Sequence, residues 1–135
     1  MNIDGITNGI VIDHITAGQG MRLYELLHLG ELDCSVAIIK NVSSSKLGRK
    51  DIIKIDADIP VNLDVIGYVD PGATVNIIRG GILEKKMSIP MPEKLVNVLR
   101  CRNPRCITSV ERDLDHIFTL HGKVYRCFYC ETKAD

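Results

Sequence analysis

The stretch Gly9-Ile10-Val11-Ile12-Asp13-His14-Ile15 is apolar and β-branched up to a polar pair, Asp13-His14. It reads as a strand whose end carries chemistry. After it, Thr16-Ala17-Gly18-Gln19 matches a capping box, with Gln19 placed to reach back to the cap. Leu23, Leu26 and Leu27 then share a helical face, and Gly30 is placed as the residue that ends the helix. Cys34 to Val42 reads as a second strand, Ser43 to Gly48 as a loop, and Arg49 to Ile55 as a third strand. Pro60 and Asn62 open a short helix through Leu63, Ile66 and Gly67, and Pro71-Gly72 is a turn. Thr74 to Arg79 and Ile82 to Met87 are strands joined by a Gly80-Gly81 hairpin turn. The order β-α-β-β-α-β plus one strand predicts an α+β fold of ferredoxin-like type. Both helices would lie on one face of an antiparallel sheet, leaving the other face open to a ligand or partner.

Pro90-Met91-Pro92 breaks this pattern, because prolines so spaced cannot sit in a central strand. The expected boundary therefore divides residues 1–92 from residues 93–135. Leu95 to Arg100 is a strand or connector leading to Cys101-x4-Cys106 and, after 20 residues, Cys127-x2-Cys130. Two close pairs of thiols suit a tetrahedral ion, and Asn103-Pro104 supplies turn formers within the first pair. His116 to Leu120 and Lys123 to Arg126 read as strands around a His121-Gly122 turn, which makes a small zinc-ribbon-like β domain. A redox Cys-x-x-Cys would leave Cys101 and Cys106 unexplained. A catalytic zinc needs an open position that four thiolates do not leave. So short a module cannot bury enough surface to fold alone, and the metal must supply folding energy. His116 and His121 read as surface or turn residues, and Cys34 as a buried thiol in an apolar strand.

The whole chain has 135 residues, 45% hydrophobic and 25% charged, with no Trp and 4% aromatic residues. That is a globular composition whose core must come from Ile, Val and Leu. The formal net charge of +0 argues against a protein that coats nucleic acid or an anionic membrane. No apolar run reaches the ~20 residues of a bilayer span, no signal peptide is evident, and the cysteine usage fits a cytoplasmic protein. Lys50 and Lys54 point to one face of their strand, where lysines could hold phosphate or simply be solvated. Asn76 could read a base edge or close a local hydrogen bond, and Lys85 and Lys86 could extend a cationic site. No nucleophile lies beside a base, and Gly18-Gln19-Gly20 lacks the ending of a P-loop. Arg100, Arg102, Arg105, Lys123 and Arg126 around the cysteines leave a nucleic-acid-binding zinc ribbon as the rival reading, against which stand the neutral charge and scarce aromatics.

Taken together, Gly9 to Ile15, Gly48-Arg49-Lys50-Asp51-Ile52-Ile53-Lys54-Ile55, Ala73-Thr74-Val75-Asn76 and Asn97-Val98-Leu99-Arg100-Cys101 with the spaced cysteines resemble the regulatory chain of aspartate carbamoyltransferase. The resemblance covers nearly the whole chain. It implies a non-catalytic subunit with an N-terminal nucleotide-effector domain for CTP, UTP or ATP. It also implies one structural Zn2+ per chain, held by Cys101, Cys106, Cys127 and Cys130. The zinc domain would contact the catalytic chain, and self-paired regulatory chains would bridge catalytic trimers, giving allosteric control of pyrimidine biosynthesis. Neither nucleic acid nor membrane is an expected partner. By the same resemblance Asp13 lies near the ribose or base and His14 beside the phosphates. Lys50 and Lys54 hold the triphosphate, backbone near Asp4, Gly5 and Ile6 reads the base, and Val11, Asn76 and Lys86 complete the effector positions. This chain departs from the pattern at Gly80-Gly81, where an aromatic residue often stands, at Asp4, where a longer acid is common, and in a shorter loop between the cysteine pairs.

Overall fold

The computed structural model describes residues 5–134; the candidate Asp4 lies outside them. The chain divides into two compact units, 1–91 and 92–135. In the first unit β1 (Gly9–Thr16), α1 (Gly20–Leu26), a 3-10 turn (Leu29–Glu31), β2 (Val36–Ser44), β3 (Gly48–Ile55), α2 (Leu63–Val69), β4 (Thr74–Arg79) and β5 (Ile82–Ser88) follow in order. The sheet order is β2-β3-β1-β4-β5 with every neighbouring pair antiparallel. This is the expected ferredoxin-like arrangement with β5 added at one edge. The Gly80-Gly81 turn is present, and both glycines take positive φ, 60° and 75°, as a tight twisted hairpin demands.

Strand alternation sorts the side chains to two faces. Ile10, Ile12, Ile53, Ile55 and Val75 are buried together with Leu23 of α1 and with Val65 and Ile66 of α2. Asp51 alternates onto the same face as Ile53 and Ile55, and its carboxylate reaches the start of α1, which places α1 over that face. On the opposite face Ile6, Val11, Ile52 and Ile78 form a smaller apolar cluster with Val42 packed against it.

Several local expectations are corrected. Thr16 is the last residue of β1, and Gln19 precedes α1 without making a side-chain cap. The capping box is not used because a stronger acceptor arrives from another strand. Asp51 Oδ2 accepts the N–H groups of Gly18 and Gly20, each at 2.9 Å. A Cβ on Gly20 would lie 2.9 Å from that same oxygen, so the glycine allows the approach. Helix α1 ends one turn early, and His28, not Gly30, takes the left-handed φ of 55°, turning Leu29 into the core. Cys34 precedes β2 and is half-buried, so it is not a core thiol of a strand. Ser43 and Ser44 extend β2, leaving Ser45-Lys46-Leu47 as the turn. At α2 the expectation holds: Asn62 caps the helix, its side chain accepting the Asp64 N–H at 3.1 Å.

The second unit contains β6 (Lys94–Val96), α3 (Ile107–Val110), β7 (Ile117–His121) and β8 (Val124–Cys127), with a three-stranded sheet in the order β6-β7-β8. The hairpin turn falls at Gly122-Lys123, one residue later than expected, since His121 still pairs with Val124. Its apolar interior is small: Leu95, Phe118 and Tyr125, beside Cys106 and Cys127. The Tyr125 hydroxyl donates to the Pro92 carbonyl at 2.6 Å, tying the entry of the unit to its last strand. Among the described residues no helix is long and apolar enough to cross a membrane.

Candidate functional site: a polar sheet face and a four-cysteine cradle

The register of the first sheet brings residues far apart in sequence into one row. Lys86 pairs with Asn76, Asn76 with Val11, and Val11 with Lys54. Directly paired residues project to the same face, so this row crosses four strands on the side away from α1. Val11 is buried in the apolar cluster with Ile6 and forms the floor of the row. Lys54 is half-buried and Lys86 exposed. The Asn76 amide donates to the Val11 carbonyl at 3.1 Å, so it does close the local hydrogen bond.

Next to this row, β1 carries a bulge. Between Ile12 and Ile15 the register with β3 shifts by one residue, and His14 takes φ 56°. The bulge re-aims Asp13 and His14. The Lys50 ammonium meets Asp13 Oδ1 at 2.9 Å, and both side chains are nearly buried, at 7% and 11% exposure. Of the two readings of Lys50, a phosphate-holding cation or a solvated residue, burial against Asp13 removes the second. Burial pushes the Asp13 carboxyl upward, but the hydrogen bonds from Lys50 and from the His14 N–H, with the nearby positive charge, outweigh it and hold the group below its ordinary value. His14 Nδ1 lies 3.0 Å from the Thr74 hydroxyl, which fixes the ring. Its pKa is lowered by burial and by the charges of Lys50, Lys46 and Lys86; the Asp13 carboxylate opposes them. The imidazole therefore stands among three ammonium groups, an environment that favours an anion beside it.

Sequence reasoning missed the groups that hold this face in shape. Asp51 is fully buried and accepts a third N–H, from Asn41, on its other oxygen at 2.9 Å. Asn41 stands at a matching bulge of β2, with φ 59°. Asp70, after α2, accepts the N–H of Thr16 at 2.6 Å and of Gly72 at 2.9 Å. Asp51 is paired entirely through the fold, and Asp70 through the fold at Thr16 and locally at Gly72. Only the placement of Asp51 between Lys50 and three isoleucine-rich positions hinted at a buried carboxylate.

In the second unit Cys101, Cys106, Cys127 and Cys130 come together with all four sulfurs within 4.8 Å of one another. Cys101 Sγ and Cys130 Sγ are 3.5 Å apart, and Cys106 Sγ and Cys127 Sγ 3.8 Å. These separations are far from a disulfide bond of about 2.05 Å. A tetrahedral ion with metal–sulfur bonds of about 2.3 Å would set its sulfurs about 3.8 Å apart, so the four residues fit such an ion. The first pair is shaped by Asn103, whose side chain accepts the Arg105 N–H and whose carbonyl accepts the Cys106 N–H, both at 3.0 Å. The second pair is closed by the Glu131 N–H, which donates to the Cys127 carbonyl at 2.8 Å. The hydrogen bond with the Thr132 hydroxyl, above all, draws the Cys130 thiol down to about 6. Burial pushes Cys101 up to about 12 and raises Cys127. A cation entering this cradle would displace the protons that remain.

A two-unit α+β chain with a polar sheet face and a metal-binding module is thereby defined. Residues 1–90 match the family model for the aspartate carbamoyltransferase regulatory chain, allosteric domain, and residues 93–135 that for its metal binding domain. The chain is 45% identical to the aspartate carbamoyltransferase regulatory chain of Clostridium tetani over 135 residues, covering 97% of this chain and 94% of the relative. It is 43% identical over 134 residues to that of Clostridium botulinum, covering 97% and 92%. With that of Bifidobacterium longum it shares 41% over 137 residues, covering 99% of each. The chain belongs to the aspartate carbamoyltransferase regulatory chain family; it is a regulatory chain and not a catalytic one.

Proposed function

We propose that the sheet unit binds a nucleoside triphosphate effector such as CTP, UTP or ATP, and that the four-cysteine unit binds one Zn2+ and joins the chain to the aspartate carbamoyltransferase catalytic chain. The observation that carries the nucleotide reading is the row Lys86, Asn76, Val11 and Lys54 beside the Asp13–Lys50 pair and His14. Lys54 and Lys86 supply charge for a polyphosphate, and Val11 with Ile6 supplies an apolar floor for a base. Lys50 is held by Asp13, so its contribution to an anion is made from a fixed position. Asp4 belongs to the same proposal on resemblance alone.

Zinc is favoured for the cradle because four thiolates in a closed tetrahedron are its characteristic structural ligand set. Bound there, the ion supplies folding energy and no chemistry. Around the cradle Ile107, Val110, Phe128 and Tyr129 are exposed, Val110 at 70% and Phe128 at 59%. Phe128 and Tyr129 stack edge to face with centroids 5.3 Å apart. Exposed apolar residues so grouped in sequence around the metal ligands suit a protein interface, and the catalytic chain is the partner we assign to them. Self-pairing of the regulatory chain belongs to the same reading.

Regulation then follows from differential affinity. A nucleotide shifts the assembly between states only as far as it binds one better than the other, with coupling of ~1–3 kcal/mol typical. Calorimetric titration of the zinc-loaded chain with CTP, UTP and ATP tests the nucleotide half. Saturable binding lost on removal of the triphosphate group supports the assignment. Equal binding of nucleoside and nucleotide would contradict the cationic row as the site.

A further inference from the structure

The second cysteine of each pair is followed by the same pattern, Cys106-Ile107-Thr108 and Cys130-Glu131-Thr132. The structure gives that repeat a meaning. Thr108 Oγ1 lies 3.1 Å from Cys106 Sγ, and Thr132 Oγ1 lies 3.1 Å from Cys130 Sγ. Thr108 is buried at 5% exposure, so its hydroxyl is not turned to solvent. The first cysteine of each pair is served differently. The backbone N–H of Asn103 serves Cys101, those of Cys130 and Tyr129 serve Cys127, and that of Thr132 serves Cys130 beside its hydroxyl. Only the second cysteine of each pair meets a side-chain hydroxyl, that of the threonine two positions on.

Four thiolates around a divalent cation leave a net charge of about −2 in a partly buried site, and such charge is costly without donors. The N–H donors come with the turn geometry and would be present for almost any sequence. The two hydroxyls are a choice of side chain. We propose that Thr108 and Thr132 are positioning residues of the metal site, whose O–H···S hydrogen bonds draw charge from Cys106 and Cys130 and so slow release of the ion. This rests on the zinc reading above. A thiolate has no proton to give, so in the metal-bound chain the hydroxyl is the donor in both bonds. Each bond orients a ligand sulfur toward the cradle and lowers its basicity.

Cobalt(II) loaded into the full chain in place of zinc reports sulfur charge directly through its sulfur-to-metal charge-transfer absorption. Thr108→Val and Thr132→Val each remove one hydroxyl while keeping the shape. The expected result is a shift of that absorption to lower energy, and capture of the ion by a competing chelator about tenfold faster per hydroxyl. Thr108→Ser and Thr132→Ser keep the hydroxyl and are expected to match the parent chain in both readouts. Valine and serine variants that shift alike would overturn the proposal, because packing of the methyl group would then be responsible. Valine variants that leave band and rate unchanged would overturn it as well. If Thr108→Val fails to take up cobalt, Thr132→Val, at a half-buried position, decides by the same readouts. A parent chain without a tetrathiolate cobalt spectrum would instead sink the zinc reading, and the two failures are distinct.

Discussion

Among the described residues, sixteen apolar side chains are buried in the sheet unit, with Ile12, Ile15, Ile53, Ile55 and Ile66 fully enclosed; in the metal unit five are, and two of those are Cys106 and Cys127. The first unit can hold its fold by apolar burial across a five-stranded sheet, at about 25 cal/mol per Å2 removed from water. The second, residues 92–135, is too small for that route and has a three-stranded sheet around one Phe, one Tyr and one Leu. The difference teaches where each function can reside. A unit that is stable without its ligand can bind an effector weakly and reversibly. A unit whose fold depends on an ion suits a lasting joint, the role proposed for it above.

The largest expected effect separates the two units outright. Cys127→Ser, or removal of the ion by a chelator, is expected to unfold residues 92–135. The binding energy lost is on the order of 10 kcal/mol. The amide spectrum of the sheet unit should persist while signals of β6, β7 and β8 collapse. Collapse of both units together would break the comparison.

Asp51→Ala attacks the other side. Three N–H groups, of Gly18, Gly20 and Asn41, lose a buried carboxylate. A loss of about 3–5 kcal/mol in sheet-unit stability is expected by urea unfolding, with metal content unchanged. A loss of under about 1 kcal/mol would show that the two bulges hold their shape without it.

Lys54→Ala is expected to weaken nucleotide binding roughly tenfold by calorimetry, and to leave assembly with the catalytic chain intact. An unchanged affinity would remove Lys54 from the site.

The smallest effect is a pH dependence. In the chain alone the His14 pKa is lowered, by burial and by the charges of Lys50, Lys46 and Lys86. A bound polyphosphate would offset those charges and raise it, so the complex holds more protons than the free chain. Affinity should therefore rise as pH falls through the neutral range and level off below the free-site value, by a few fold in all. His14→Asn should flatten that slope relative to the parent chain; equal slopes would place the anion away from His14.

Much of this fold can be read in the sequence because its signals are local. β-Branched alternation marks β1 and β4, two glycines mark one hairpin, and two spaced pairs of thiols mark the cradle. The features that escaped are tertiary. Thr16-Ala17-Gly18-Gln19 suggests a local cap, but the acceptor comes from Asp51 on β3. Lys50 and Lys54 look equivalent by alternation, yet the bulge at His14 buries Lys50 against Asp13 while Lys54 remains in the row with Asn76. Left-handed residues such as His14 and Asn41 leave no spacing signature, because their conformation is imposed by strands pairing on both sides of β3. The Cys-x-Thr repeat has no signature that sets it apart in the sequence, and the 3.1 Å contacts single it out.

The most direct test of the central claim is sedimentation of this chain with the aspartate carbamoyltransferase catalytic subunit, with zinc bound and after chelation. The account predicts one species larger than either component when zinc is bound, and separate components once it is removed. Independent sedimentation with zinc bound, or joint sedimentation after the metal is gone, would contradict a metal-built joint between regulatory and catalytic chains.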